Sequence, residues 1–142
     1  MIAVAAIVCI AVLIVCYPAI KSLIENIKYS DLTDFFNACK ESKLSFWEKW
    51  RKSPKLCTHH IVARTHHLAA ATRVIVEPHL TNIVTDERNL VRIKERFHHK
   101  LHRKSYFIAQ YNCFNPLEGK RTEILNMLKT QKIIISIVNY TA

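Results

Sequence analysis

The chain has 142 residues, with 21 Lys and Arg against 11 Asp and Glu for a formal net charge of +10. That length holds one domain and little more, and a single glycine excludes a Gly-rich phosphate loop and argues against a hairpin-dense all-β fold. The charge attracts polyanions at long range, nucleic acid or an anionic lipid surface, without choosing between them.

Residues 1–20 carry no charge and are dominated by Ile, Val, Ala and Leu. Twenty helical residues span about 30 Å, the thickness of a bilayer core, so a transmembrane anchor is expected. A cleaved signal and a buried helix or truncated remnant of a longer chain are the alternatives. Lys21 and Lys28 follow the apolar run and nothing basic precedes it; an anchor would leave the C-terminal part in the cytosol. A secreted effector is the other localisation. Met1 is either a native start or the edge of a fragment.

Residues 21–53 form a helical, basic linker region. Tyr29-Ser30-Asp31 offers helix-start chemistry, and Leu32, Phe35, Phe36 and Cys39 recur at helical spacing. Phe46, Trp47 and Trp50 then stand among basic residues, where they suit a core-facing stripe, a membrane-interface belt or a base-stacking platform. Pro54 marks a boundary, and residues 54–142 make the functional domain. Its cysteines, Cys57 and Cys113, join Cys9, Cys16 and Cys39 in showing no C-x-x-C spacing. Free, mostly buried thiols in a reducing compartment are expected.

Within that domain Leu56 to Ala63 is predicted as a strand, Leu68 to Glu77 as a helix stopping before Pro78, and Asn89 to Ile93 as a second strand. Glu95 to Asn112 reads as one long helix with Phe97, Leu101 and Ile108 on its apolar stripe. After Asn115-Pro116 and Gly119, Arg121 to Gln131 is a further helix. Ile133 to Val138 either extends it or forms a last strand. The fold class is α+β.

All eight histidines lie between positions 59 and 102. Imidazole is both the commonest protein metal ligand and a general base near neutral pH. His98 and His102 are four apart, so on one helix they share a face and can grip one ion, with a third ligand from elsewhere leaving a position open. His99 points away from that face. On a strand His59 and His60 project to opposite sides, so one can complete a metal site while the other activates water. A metal site acting on a polyanion is nuclease chemistry. A zinc peptidase is excluded, because no H-E-x-x-H occurs.

Thr58-His59-His60-Ile61-Val62-Ala63, Ala69-Ala70-Ala71, Asp86-Glu87-Arg88-Asn89-Leu90-Val91, and His98-x-x-Leu101-His102 followed by Tyr106 together resemble the AHH family. That family belongs to the HNH/endonuclease VII superfamily and supplies toxin modules in bacterial polymorphic toxin systems. The resemblance covers residues 57–112, with weaker agreement through the Arg121 to Gln131 helix. Thr58 replaces the usual alanine, the glycine usual before the Asn segment is missing, and Lys104 and Phe107 vary the tyrosine region. The resemblance implies a ββα-metal finger embedded in helices, clasping one divalent ion (Mg, Mn, Ni or Zn). By the same resemblance His59, His98 and His102 are metal ligands, His60 is the general base, and Asn89 holds the loop and base in place. Arg103 and Tyr106 are candidate phosphate contacts. His66, His67 and His79 match no motif position and read as surface histidines.

The expected function is a metal-dependent endonuclease acting on DNA in preference to RNA. An immunity protein is a possible partner, and the membrane would be met through residues 1–20. The alternative is a non-catalytic, membrane-anchored basic protein with a structural zinc that binds nucleic acid or anionic lipid.

Overall fold

The computed structural model describes residues 29–42, 44–45 and 55–141. The apolar head 1–20, with Cys9 and Cys16, and the aromatic residues Phe46, Trp47 and Trp50 lie outside the described residues. No helix among the described residues is long and apolar enough to cross a membrane.

Strand β1 (Leu56–His60) pairs antiparallel with β2 (Leu90–Lys94), setting His59 opposite Val91 and His60 opposite Leu90. Side chains alternate across a strand, so Val91 and Ile93 are buried while Arg92 is exposed. By the same alternation His59 is buried and Thr58 exposed. The strand stops at His60 rather than continuing to Ala63, because Asn89 takes the next backbone donors. Its carbonyl accepts from the Ile61 amide at 2.8 Å, and its side-chain oxygen accepts from the Val62 amide at 2.8 Å.

Between the strands the α-helical part is α2 (Ala70–Val76), entered and left through the 3-10 turns His67–Ala69 and Glu77–His79. Pro78 sits in the second turn, where its fixed φ is tolerated and its missing N–H costs nothing. β2 runs directly into α3 (Glu95–Leu101), and the Glu95 amide donates to the Lys55 carbonyl at 2.9 Å.

The expected long helix from Glu95 to Asn112 is two helices, α3 and α4 (Lys104–Phe114). His102 has φ −75° and ψ 56°, and the Arg103 amide donates to the Leu101 carbonyl at 2.7 Å. This is an inverse γ-turn centred on His102. It re-aims the chain, so the buried face of α4 is Tyr106, Phe107, Ala109, Gln110, Cys113 and Phe114. Ile108, expected on the apolar stripe, is 49 % exposed.

Gly119 turns the chain with φ 78°, and α5 (Arg121–Thr141) follows without interruption. Ile133 to Val138 therefore extends the helix. The end of α5 is fixed to the sheet by the Lys94 amide, which donates to Asn139 Oδ1 at 2.8 Å.

The first described helix, α1 (Tyr29–Lys40), packs on α4 and α5 and is a wall of the core rather than part of a linker. Its Phe35 ring lies 5.3 Å from that of Tyr106. Phe35, Phe97, Phe107, Phe114, Ile61, Ile93 and Leu101 are all fully buried, each contributing about 1.5–3 kcal/mol by removal from water. Cys39 and Cys113 are buried and free, and Cys57 is free and half-buried. Burial pushes the Cys113 thiol up to about 12, the mark of an inert packing thiol.

Candidate metal centre and its cleft

β1, the last turn of α3 and the γ-turn converge on three imidazoles. His59, His98 and His102 each offer a ring nitrogen, and these ligand atoms lie within 4.8 Å of one another. The rings of His98 and His102 are 4.5 Å apart, and those of His59 and His98 5.1 Å. One turn of α3 brings His98 beside His102, although the helix proper ends at Leu101 and His102 is its cap.

The tautomer of His59 follows from its neighbours. Tyr106 donates its hydroxyl proton to the Ile61 carbonyl at 2.9 Å, which leaves its oxygen as an acceptor. His59 Nε2 lies 3.3 Å from that oxygen, so Nε2 carries the proton and Nδ1 holds the free lone pair. Nδ1 in turn lies 3.4 Å from His102 Nε2. Zinc–nitrogen arms of about 2.0–2.1 Å in a tetrahedron separate two ligands by roughly 3.3 Å. The three histidines are therefore a group able to hold a metal ion.

Their protonation agrees. Burial pushes His59 well below the ordinary imidazole range, helped by His98, His102 and His60. Burial, then His98, His66 and His99, pushes His102 down to about 4. His98 is lowered by burial, then by His99 and His60, against the opposing pull of Glu95. Neutral rings are the metal-binding form.

His60 projects to the other side of β1, as the alternation requires. Its Nε2 donates to the Val84 carbonyl at 3.1 Å, which in the neutral ring puts the free lone pair on Nδ1. His60, His98 and His102 line a common cleft of about 140 Å³ with Ala63, Arg64, Thr65 and His66.

Asn89 is fully buried and holds the loop after β1. Beyond its bond to the Val62 amide, its Nδ2 donates to the Val62 carbonyl at 3.1 Å and to the Ile83 carbonyl at 2.8 Å. Asp86, just ahead of it, is braced by the Arg88 guanidinium, whose Nε donates at 2.7 Å. That contact holds the Asp86 carboxyl well below the usual range.

Two expectations about the rim are corrected. Tyr106 is fully buried beneath His59, with its hydroxyl committed to Ile61, so it cannot contact a phosphate and instead orients the His59 ring. His66 is not a free surface histidine. It is half-buried, lines the cleft, and stacks on Phe107 at 4.2 Å. A histidine six positions beyond His60, on the loop leaving the His-His pair, was the available signal. Arg103 is exposed between α3 and α4. His67 is exposed and His79 half-buried, and neither lines the cleft. His99 is exposed.

No family model matches the chain, and neither a curated protein nor a solved structure does.

Proposed function

We propose that the protein is a metal-dependent endonuclease that hydrolyses phosphodiester bonds, with DNA as the favoured substrate. In this reading β1, β2 and α3 form a ββα-metal finger. The observation that carries it is a cleft lined by His98 and His102, two of the three grouped histidines, together with His60, whose Nε2 proton is held by the Val84 carbonyl. Hydrolysis needs those two services from different groups.

His60 takes a proton from the attacking water at Nδ1 while its Nε2–H stays on the Val84 carbonyl. The water oxygen bonds to phosphorus and the bond from phosphorus to the 3′ oxygen breaks. Asn89 keeps the His59-His60 segment in register with the cleft. His59, His98 and His102 would hold a divalent ion, which would supply positive charge to offset the negative charge developing in phosphodiester cleavage. By donor type three imidazoles suit zinc or nickel, and manganese and magnesium are the other candidates. The charge of +10 favours capture of the polyanion. A toxin-type effector role, an acidic immunity partner and membrane attachment through residues 1–20 are the biological setting this reading suggests.

The test is plasmid nicking by the full chain with Mg²⁺, Mn²⁺, Ni²⁺ or Zn²⁺, beside His60→Ala and a chelator control. Metal-dependent nicking that is lost in His60→Ala, with metal binding kept, is the expected result. A folded, metal-loaded protein that cleaves neither DNA nor RNA would sink the proposal in favour of a binding module with a structural ion.

A further inference from the structure

Resting on the nuclease reading, we propose that His66 is a substrate-contact residue. It donates its Nε2–H to a non-bridging oxygen of the phosphate that sits over the His59, His98 and His102 group.

Three observations carry this. His66 lines the same cleft as His60, His98 and His102, with its ring 5.9 Å from that of His102. Second, the ring is held in one orientation. It is stacked between Phe107, at 4.2 Å and 20°, and His67, at 4.8 Å and 18°. Third, its hydrogen-bonding role is assigned by the local backbone. His66 Nδ1 accepts from the Leu68 amide at 3.3 Å, so the neutral ring carries its proton on Nε2. That nitrogen has no hydrogen-bond partner among the described residues.

The loop bearing His66 is itself anchored. Arg73 Nη1 donates to the Ala63 carbonyl at 2.8 Å and to the His66 carbonyl at 3.2 Å, tying both ends of the segment 63–66 to α2. A preset donor on an anchored loop loses little entropy on meeting its ligand, which is how a positioning contact gains its effect. Capping and stacking alone would account for the Nδ1 side and the two ring faces, but they leave Nε2 of this cleft-lining residue unused. Arg64, exposed at the same cleft, adds positive charge for the anion.

The experiment compares wild type, His66→Phe and His66→Asn in cleavage of a short DNA duplex, with metal affinity and thermal unfolding measured on each. His66→Phe keeps the stack and removes the donor; His66→Asn keeps an acceptor for the Leu68 amide and removes the reach. Both variants are expected to lose about 10- to 100-fold in kcat/KM, the size of a hydrogen bond to a charged group, with metal affinity unchanged. Cleavage within twofold of wild type would overturn the role of His66 while leaving the nuclease reading intact. A wild-type protein that cleaves nothing would overturn both. Should the variants fail to fold, the ¹⁵N signal of His66 Nε2 is followed in Zn²⁺-loaded His60→Ala as a 12-mer duplex is added. A downfield-shifted, protected Nε2–H supports the contact, and an unmoved signal at saturating duplex overturns it.

Discussion

The hydroxyl of Tyr106 lies 3.3 Å from Nε2 of His59 and gives its own proton to the Ile61 carbonyl. One buried phenol thus decides which nitrogen of His59 keeps its lone pair beside His102. Gln110 Nε2 donates to the same phenolic oxygen at 3.3 Å and to the Ile61 carbonyl at 2.7 Å, so the acceptor role of Tyr106 is enforced twice.

Tyr106→Phe removes that acceptor while keeping the ring. Metal affinity is expected to fall about 10- to 100-fold, the usual cost of losing an orienting partner. Stability falls by about 1–2 kcal/mol, because the buried His59 Nε2–H loses its acceptor while the Ile61 carbonyl keeps the Gln110 amide at 2.7 Å. Titration with Co²⁺ followed by its visible spectrum, alongside chemical denaturation, measures the two separately. Unchanged affinity would show that His59 keeps its tautomer without the phenol.

Asn89→Asp keeps an acceptor for the Val62 amide but places a carboxylate oxygen against the carbonyls of Val62 and Ile83, where Nδ2 now donates. The expected loss is about 3–5 kcal/mol, the cost of an unpaired buried charge, read from the urea midpoint. A shift below about 1 kcal/mol would mean the loop after β1 is held by other means.

The metal-free protein should lose stability in mild acid. A histidine whose native pKa lies below its unfolded value protonates first in the unfolded chain, which is then favoured as pH falls. Above the ordinary value of 6.5 the penalty is absent, and for His102 it grows down to about 4, with His59 and His98 shifted in the same direction. The melting temperature without metal is expected to drop steadily from pH 6.5 to 4. A flat profile would contradict neutral, desolvated rings.

Arg103→Ala tests the exposed rim under the nuclease reading. Arg103 precedes α4 without a side-chain cap bond, so its removal should leave the melting temperature unchanged. The slope of log affinity for DNA against log salt is expected to become shallower by about one. An identical slope would remove Arg103 from the phosphate path.

Much of the site was legible because its signals are local. The His59-His60 pair, the alternation through Val91 and Ile93, and the four-residue step from His98 to His102 each encode their own geometry. What escaped depends on contacts between distant segments. Periodicity from Glu95 to Asn112 could not register the γ-turn at His102, because no Pro or Gly marks it. Tyr106 looked available to substrate since burial of a tyrosine is decided by partners such as Phe35 and His59, far away in sequence. His66 was overlooked because its cleft exists only once α4 brings Phe107 against it.

The distance along the chain between His59 and His102 is 43 residues, and that interval contains α2, β2 and α3. An ion gripped by both ends would therefore close a long covalent-like ring through the middle of the molecule. Such a cross-link narrows the unfolded ensemble more than it adds to the native contacts, by about 3–4 kcal/mol for a loop of this order. Metal supply would then govern how often these segments come apart as well as whether the cleft is equipped. A protease that cuts within residues 60–101 would report the bound ion with no nucleic acid present.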